Sequence, residues 1–574
     1  MARTNLKKAL ADLELSKRQF GKNKAQLRHL LAALSQTQIP DAESLIHLHE
    51  SLLFLRAYPP NKAILRKVEV YLKSFAQRVQ RLVEADADLS VLDDPEVSGI
   101  VGGSVTTNFS YALVRWLAAK YPRQIAIDWD WFEEEDRFGA SMPRFLPLLE
   151  DDAMVEAHVP YREWLRAAKG RKNELIWLIE QFESLEISDR ERAELYDSLK
   201  LHVTWRYPAR ASRTEMKTPT PKIFFHDEPL IQRKQISLEA ELNAPKIPIE
   251  KLSALQGQKI LDLARETSAV RYRELHGFTY GESSRVLKAN LGRGTEAFVV
   301  GVSPENRLPL RAYHAALILK NGVPVGYFEG LSLFERMESG FNLYYTFRDG
   351  ETAWLYSRIL HLMRQLLGVT VFSIDPYQVG HQNEEGIESG AFWFYRKLGF
   401  RPVRPELMKL AMAEEEKISA RLGYRTSPGT LRKLASGHML FEMPGAGQPN
   451  RAGEWDRFEV RNLGLAVQQR MANDFDGDAH KIRARSTKMV TRILGIDVKD
   501  WPEPASRLVE GIAVLLATIP KLAQWSSDDE RLLASIVRAK ATGDETHFLH
   551  LTQYHDRLKR AVISLARTKR VHHS

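Results

Sequence analysis

The sequence predicts an α+β, multidomain protein: a helical N-terminal region, a central mixed β-sheet with flanking helices, and a helical C-terminal region. Three observations predict it. Leucines recur at three- and four-residue spacings through the first sixty residues, the only dense run of strand-forming segments lies between Glu296 and Phe347, and helical patterning returns after about Gly445. At 574 residues the chain is long enough for several domains of ~100–200 residues each. Changes of composition divide it into a helical region 1–206, a Pro-containing linker or wrapping segment 207–250, the sheet-bearing region 251–445 and a helical region 446–574.

In the N-terminal region Leu6, Leu10 and Leu13 define one helix, and Leu27, Leu30, Leu31 and Leu34 a second. These two are expected to pair as an antiparallel hairpin. Leu45, Leu48, Leu52 and Leu55 mark a third, which Pro59-Pro60 ends. A further helix is predicted over Lys62 to Glu84, with Val68, Tyr71, Leu72, Phe75, Val79 and Leu82 on one face. The glycine-rich run Ser98 to Ser104 precedes a helix from about Asn108 to Lys120. It lacks the Lys-Ser/Thr ending of a phosphate-cradling loop and reads as a simple loop. The acidic run Asp128 to Asp136 has the carboxylates for a hard cation. Its interleaved Trp129, Trp131 and Phe132 suit a packed segment with a solvated acidic face better. Pro208, Pro219, Pro221, Pro229, Pro245 and Pro248 then keep the chain extended.

A helix is predicted over Leu252 to Leu275, and strands over Glu296–Val302, Arg311–Lys320, Val323–Phe334 and Phe341–Phe347. Asn321-Gly322 joins two of them as a two-residue hairpin turn, where both positions need positive φ. A helix over Ala353–Leu367, a strand over Val369–Ile374, a helix over Gly386–Leu398 and a short strand near Phe400 follow. Glu406–Leu434 reads as an inserted helical excursion and Gly437–Pro444 as a closing strand.

Within this block, Ser389-Gly390-Ala391-Phe392-Trp393-Phe394-Tyr395-Arg396-Lys397-Leu398-Gly399-Phe400 resembles the signature near the end of the GNAT superfamily, the acyl-CoA-dependent N-acyltransferases. The order of strands, turn, helix and strand upstream also fits, so the resemblance covers residues 259–444. It implies transfer of an acyl group, with acetyl as the first expectation, from acetyl-CoA or another acyl-CoA to an amine acceptor. It implies that Tyr395 protonates the leaving thiolate, that Asn383 meets the CoA arm, and that the loop Arg348-Asp349-Gly350-Glu351-Thr352-Ala353 holds the pyrophosphate. The N-terminus of the following helix would supply free N–H groups and a positive dipole end. A proton acceptor for the amine is also needed. Glu329 on the third predicted strand, and Asp375 and His381 near the end of the fifth, are the candidates, with Glu329 ranked first. The family's pyrophosphate loop reads Arg/Gln-x-x-Gly-x-Gly/Ala, and here Glu351 stands where glycine is expected. A carboxylate beside a pyrophosphate is repulsive, and an outward, helix-capping position is the ordinary alternative for Glu351.

Charge and composition bound the rest. The net charge of +9 is concentrated at the ends: residues 1–30 hold eight Lys/Arg against two acids, and residues 555–574 six against one. Basic ends suit nucleic acid but are more often solvated faces, so nucleic acid is a partner not favoured over acyl-CoA and an amine. The chain has no cysteine, which excludes disulfides, thiolate metal sites and a cysteine nucleophile. The longest apolar stretch, Gly511–Pro520, is about half of the ~20 residues a membrane span needs, and no apolar core follows the first charged residues. The expectation is a cytoplasmic protein without membrane contact or metal.

Asn473-Asp474-Phe475-Asp476-Gly477-Asp478 resembles the magnesium-binding aspartate motif of multisubunit RNA polymerases, but its surroundings are helices and loops, so it reads as a solvated loop. His47 and His49 splay apart on a helix, and the terminal His572-His573 has too few partners for a metal. The alternative function is a non-catalytic GNAT-like binding or scaffold protein whose basic termini contact nucleic acid or a protein partner.

Overall fold

The computed structural model describes residues 3–18, 24–147, 160–444 and 453–567. The N-terminal leucine pattern becomes helices Arg3–Arg18, Lys24–Ser35 and Ala42–Ala57, the first two packed on each other. Asp41 caps the third by accepting from the Ser44 N–H. The helix expected over Lys62–Glu84 is two helices, Lys62–Lys73 and Phe75–Glu84, broken at Ser74. His572-His573 lies outside the described residues.

The region 1–206 is not wholly helical. Three short strands, β1 (Val105–Thr107), β2 (Ile125–Ile127) and β3 (Val203–Trp205), form an antiparallel sheet in the order β1-β3-β2. Tyr121, Phe182, Tyr196 and Trp205 build a separate core around it. Three-residue strands are too short to show an alternating pattern, which is why periodicity reads this stretch as helix and loop. The proline-rich segment leads on from β3. It crosses from this small sheet past the hairpin at Asn321-Gly322, where Thr218 N–H donates to the Gly322 carbonyl and Phe224 N–H to Asn321 Oδ1. It ends on β4 (Ile249–Lys251).

The central sheet has nine strands. β4, β5 (Gly281–Gly292), β6 (Thr295–Val302), β7 (Ala312–Lys320), β8 (Val323–Leu333) and β9 (Arg336–Leu343) pair antiparallel in sequence. β10 (Val371–Ile374) lies parallel to β9. β12 (Met439–Glu442) then inserts between β10 and β11 (Arg401–Pro402). Every residue of β7 is buried, because helices cover both faces of the sheet.

One face carries the helix Thr352–Leu367 together with the N-terminal helices and the C-terminal helices. Leu13, Phe54, Phe75, Phe328, Ile359, Phe372, Val509, Ile536 and Val562 share a single core there. The other face is covered by the helix Ala254–Ala269 and the turn His276–Thr279, which bury Phe298, Val300, Tyr313 and Leu317. Gly257 lets that helix sit on the sheet, since a Cβ there would lie 2.0 Å from the Ser283 carbonyl oxygen.

Two strand expectations shift. β5 reads GESSRVLKANLG, too polar to signal a strand, yet it pairs along β6. β9 starts at Arg336, and Tyr345–Phe347 forms a 3-10 turn instead of a strand. The helix expected over Gly386–Leu398 is two short helices, Glu384–Glu388 and Ala391–Arg396.

Candidate functional site

The parallel pair β9/β10 defines the place where a site can form. Pairing runs only from Arg336↔Val371 to Glu338↔Ser373. Beyond it β9 continues to Leu343, while the chain after Ile374 turns away through Asp375-Pro376. Among the described residues, the edge of β9 from Ser339 to Leu343 therefore has no strand partner on the β10 side. The helix Thr352–Leu367 begins at this same end of the sheet.

The loop between β9 and that helix is held from behind by the N-terminal region. A Cβ on Gly350 would lie 2.5 Å from Tyr58 Oη, so glycine is what lets Tyr58 lie against the loop. The Glu351 backbone N–H meets the Tyr58 hydroxyl. Glu351 is not the outward, helix-capping acid: it is 1% exposed and caps nothing with its side chain. Its carboxylate accepts from Arg293 Nε at 3.1 Å, from Lys320 Nζ at 3.2 Å and from the Ile231 N–H at 3.2 Å. Burial alone would raise this carboxyl, but Arg293 and Lys320 prevail and hold it below its ordinary range. Lys320 is equally buried, and desolvation pulls its ammonium down to about 8 despite Glu351. Arg348 pairs with Glu385 and lies 3.9 Å from Glu96. Asp349 is exposed, the Thr352 hydroxyl donates to the Arg348 carbonyl at 2.9 Å, and Ala353 is buried.

On the helix-bearing face, Tyr395 projects from the helix Ala391–Arg396 and is 4% exposed. Its ring packs on Tyr356 at 5.7 Å, and Tyr356 in turn meets Phe341 at 5.0 Å and hydrogen-bonds Ser339 at 2.9 Å. Tyr395 thus lies below the unpaired part of β9. Among the described residues its hydroxyl has no hydrogen-bond partner, and burial pushes its pKa well above the ordinary phenol value.

On the opposite face, Glu329 stands on β8 between Ala315 of β7 and Gly340 of β9. Tyr313 donates its hydroxyl hydrogen bond to the Glu329 carboxylate, and the Gly277 N–H reaches Tyr313 Oη at 3.1 Å. The His276 ring meets the Tyr313 ring edge-on at 5.2 Å. Burial raises the Glu329 carboxyl, and Tyr313 and His276 offset only part of that rise. Asp375 is different. Its carboxyl is lowered, chiefly by the hydrogen bond from His438 at 3.5 Å, and it caps the turn Pro376–Val379 through the Tyr377 N–H at 2.8 Å. His381 is exposed beside it. Asn383 spends its side chain locally, accepting from the Gly386 N–H at 3.3 Å and donating to the Tyr377 carbonyl at 3.0 Å.

The structure therefore brings Tyr395, Glu329 and the Arg348–Ala353 loop to one end of the sheet, on its two faces and its rim. Sequence reading missed Tyr313, His276, Glu338 and His438. Tyr313 and Glu338 sit in predicted or polar strands whose facing partners only the register reveals. Glu338, Asp375 and His438 converge, with ligand atoms within 4.8 Å of one another. Glu338 already lies 3.5 Å from Arg311 and 3.6 Å from Arg336, so its charge is balanced by side chains.

The other motifs resolve simply. Asp476 closes one helix at φ 52° and Asp478 caps the next through the His480 and Lys481 N–H groups. His49 is buried between Glu50 at 3.0 Å and Thr214 at 2.9 Å, whereas His47 faces Glu14. Part of the basic ends is spent internally: Lys17 pairs with Glu14 at 2.7 Å, Arg557 with Asp529 at 3.0 Å and Lys559 with Glu454 at 3.0 Å. No helix among the described residues is long and apolar enough to cross a membrane. Compared with family models, curated proteins and solved structures, the chain matches none.

Proposed function

We propose that the central domain transfers an acyl group from acyl-CoA to an amine by direct attack. The observation that carries this reading is the incomplete pairing of β9 with β10, flanked by a partnerless tyrosine hydroxyl on one face and a raised carboxylate on the other. The antiparallel strands, turn, helix, strand and closing strand occur in the order that the acyltransferase resemblance implies. In the reaction the amine nitrogen attacks the thioester carbonyl and the C–N bond forms. The C–S bond then breaks, Tyr395 gives its proton to the departing thiolate, and Glu329 accepts the proton lost by the amine. Glu329 is preferred to Asp375 because a raised carboxyl is the better base, while the lowered Asp375 is engaged with His438. With no cysteine in the chain, the acyl group passes to the amine without a thioester on the protein. Turning Glu351 inward onto Lys320 and Arg293 removes the repulsion that its position in the loop would impose on a pyrophosphate. Isothermal titration with acetyl-CoA tests the reading: binding is expected, and absence of heat at millimolar ligand sinks it.

A second reading, a non-catalytic binding or scaffold protein, is favoured by one contact. Tyr58 lies against Gly350 and faces the Glu351 N–H, one of the donors that an anion at the helix N-terminus would use. Failure to bind acetyl-CoA is the outcome this second reading expects.

A further inference from the structure

A small pocket lies beyond Glu329 at the end of β9, on the same face of the sheet. Its floor is Arg271 and Tyr344, its wall Arg273 and Asn342, and its mouth Glu96, Tyr345 and Arg348. The chain is bent to bring the two inner arginines together. The helix Ala254–Ala269 ends with Tyr272 in the left-handed region at φ +56°, where glycine is usual. Arg273 N–H bonds back to the Ser268 carbonyl and Tyr272 N–H to that of Ala269. A bulky residue in that conformation costs stability.

Arg271 is 5% exposed and forms no salt bridge among the described residues. It lies 3.7 Å above the Tyr344 ring and gives one hydrogen bond, from Nη1 to the Thr267 carbonyl at 2.6 Å. Its Nε is buried without a partner, and so is the hydroxyl of Tyr344, itself 5% exposed. Among the described residues Arg273 forms no salt bridge either; its Nη1 reaches Tyr327 Oη at 3.4 Å, which Asn342 also approaches at 3.3 Å. The two acids of the neighbourhood, Glu96 and Glu385, are both drawn to Arg348, and the buried Glu50 is held by Arg213. A buried guanidinium is normally paired. This one makes no direct ion pair and feels only the more distant Glu50, which Arg213 already holds, beside an opening to solvent.

We propose that Arg271 and Arg273 form an anion site that receives one oxygen of a carboxylate or phosphate, with Tyr344, Tyr327 and Asn342 as neutral donors. The free volume is only about 10 Å³, room for one water-sized atom, so the rest of the ligand stays at the mouth. Desolvation lowers the Arg271 guanidinium to about 9, as expected for a cation that lacks its counterion. Tyr327 and Glu329 are two residues apart on one face of β8, about 7 Å along the strand. If the proposed acyl transfer holds, on which this assignment of ligand source rests, the anion belongs either to the amine acceptor or to the phosphates of CoA.

Inorganic phosphate is the first probe, with thermal denaturation of the full chain as the readout. Phosphate is expected to raise the transition temperature of the wild type, and to lose affinity by roughly tenfold or more in Arg273→Gln and Arg271→Met. Arg271→Met is further expected to be more stable than the wild type without phosphate, because it removes an unpaired buried charge. A merely structural arginine would give the opposite. No phosphate effect on the wild type, or an effect retained in both variants, overturns the proposal. Competition then identifies the source. Displacement of phosphate by acetyl-CoA but not by acetyl-pantetheine assigns the site to CoA phosphates, and displacement by amino acids but not by amines lacking a carboxylate assigns it to the acceptor. Because phosphate binding is read without turnover, an inactive protein that binds phosphate refutes the acyl transfer and leaves the anion site standing.

Discussion

Tyr395, Tyr313 and Glu329 are the residues on which the proposed acyl transfer rests at the smallest scale, and each makes a separate prediction. Tyr395→Phe is expected to lower turnover about a hundredfold, the usual worth of a positioned acid, while leaving acetyl-CoA affinity nearly intact. Steady-state kinetics beside titration calorimetry checks this, and an unchanged rate removes Tyr395 from its role. Glu329 must be ionised to accept a proton, so activity is expected to rise with pH through its raised pKa. Tyr313→Phe deletes a hydrogen bond that favours the charged carboxylate, which moves that rise to still higher pH. A pH–rate profile that stays in place separates Glu329 from the proton transfer. Tyr395 was legible as a residue from its aromatic run and glycine-phenylalanine ending. Tyr313 was not, because its value depends on facing Glu329 across two strands.

Between elements, the telling contacts are buried ion pairs that tie the N-terminal helices to the sheet. Glu50 of the helix Ala42–Ala57 accepts from Arg213 Nη2 at 2.6 Å, and Thr346 of the turn beyond β9 donates to the same carboxylate. Burial would raise Glu50, but Arg213 beside it prevails and holds it at about 2. A depressed folded pKa stabilises the protein above the ordinary carboxylate range. That stabilisation is lost as pH falls from about 4.5 towards 2, so the urea midpoint should drop steeply across this window. Glu50→Gln is expected to cost ~3–5 kcal/mol, since Arg213 is left buried and unpaired, and to flatten the acid dependence. Denaturation of the variant at several pH values measures both. Strand existence was largely legible here, because β6, β7 and β8 are apolar and Asn321-Gly322 joins the last two. β5 was hidden by polar residues that the sheet half-covers, and the first half of β9 by Arg336, Glu338 and Ser339, of which Arg336 and Ser339 are buried.

For the whole molecule, the sharing of one core matters most. The N-terminal helices, one face of the nine-stranded sheet and the C-terminal helices bury a continuous set of side chains. The segment 251–444 alone would expose that face, from Val299 and Phe328 to the helix carrying Ile359. It is expected to aggregate or remain unfolded when expressed by itself, and far-ultraviolet circular dichroism with sedimentation checks this. A folded, soluble fragment would contradict the shared core. The basic ends also change meaning at this scale. Lys559 is buried against Glu335 and Glu454, so part of the terminal charge builds the fold and is withdrawn from any polyanion.

The sequence by itself determined the α+β class, the first N-terminal helices and the central strand–helix alternation, because apolar spacing and turn residues act over a few neighbouring positions. It also determined that no cysteine of this chain takes part in any chemistry, since composition alone decides that. Only the tertiary structure decided that Glu351 turns inward onto Lys320 and Arg293, that Glu329 faces Tyr313, and that Arg271 lies buried without a counterion. These depend on which residues meet across the sheet at separations of tens to hundreds of positions. Charge balance and burial are properties of that assembled neighbourhood, and no local pattern encodes them.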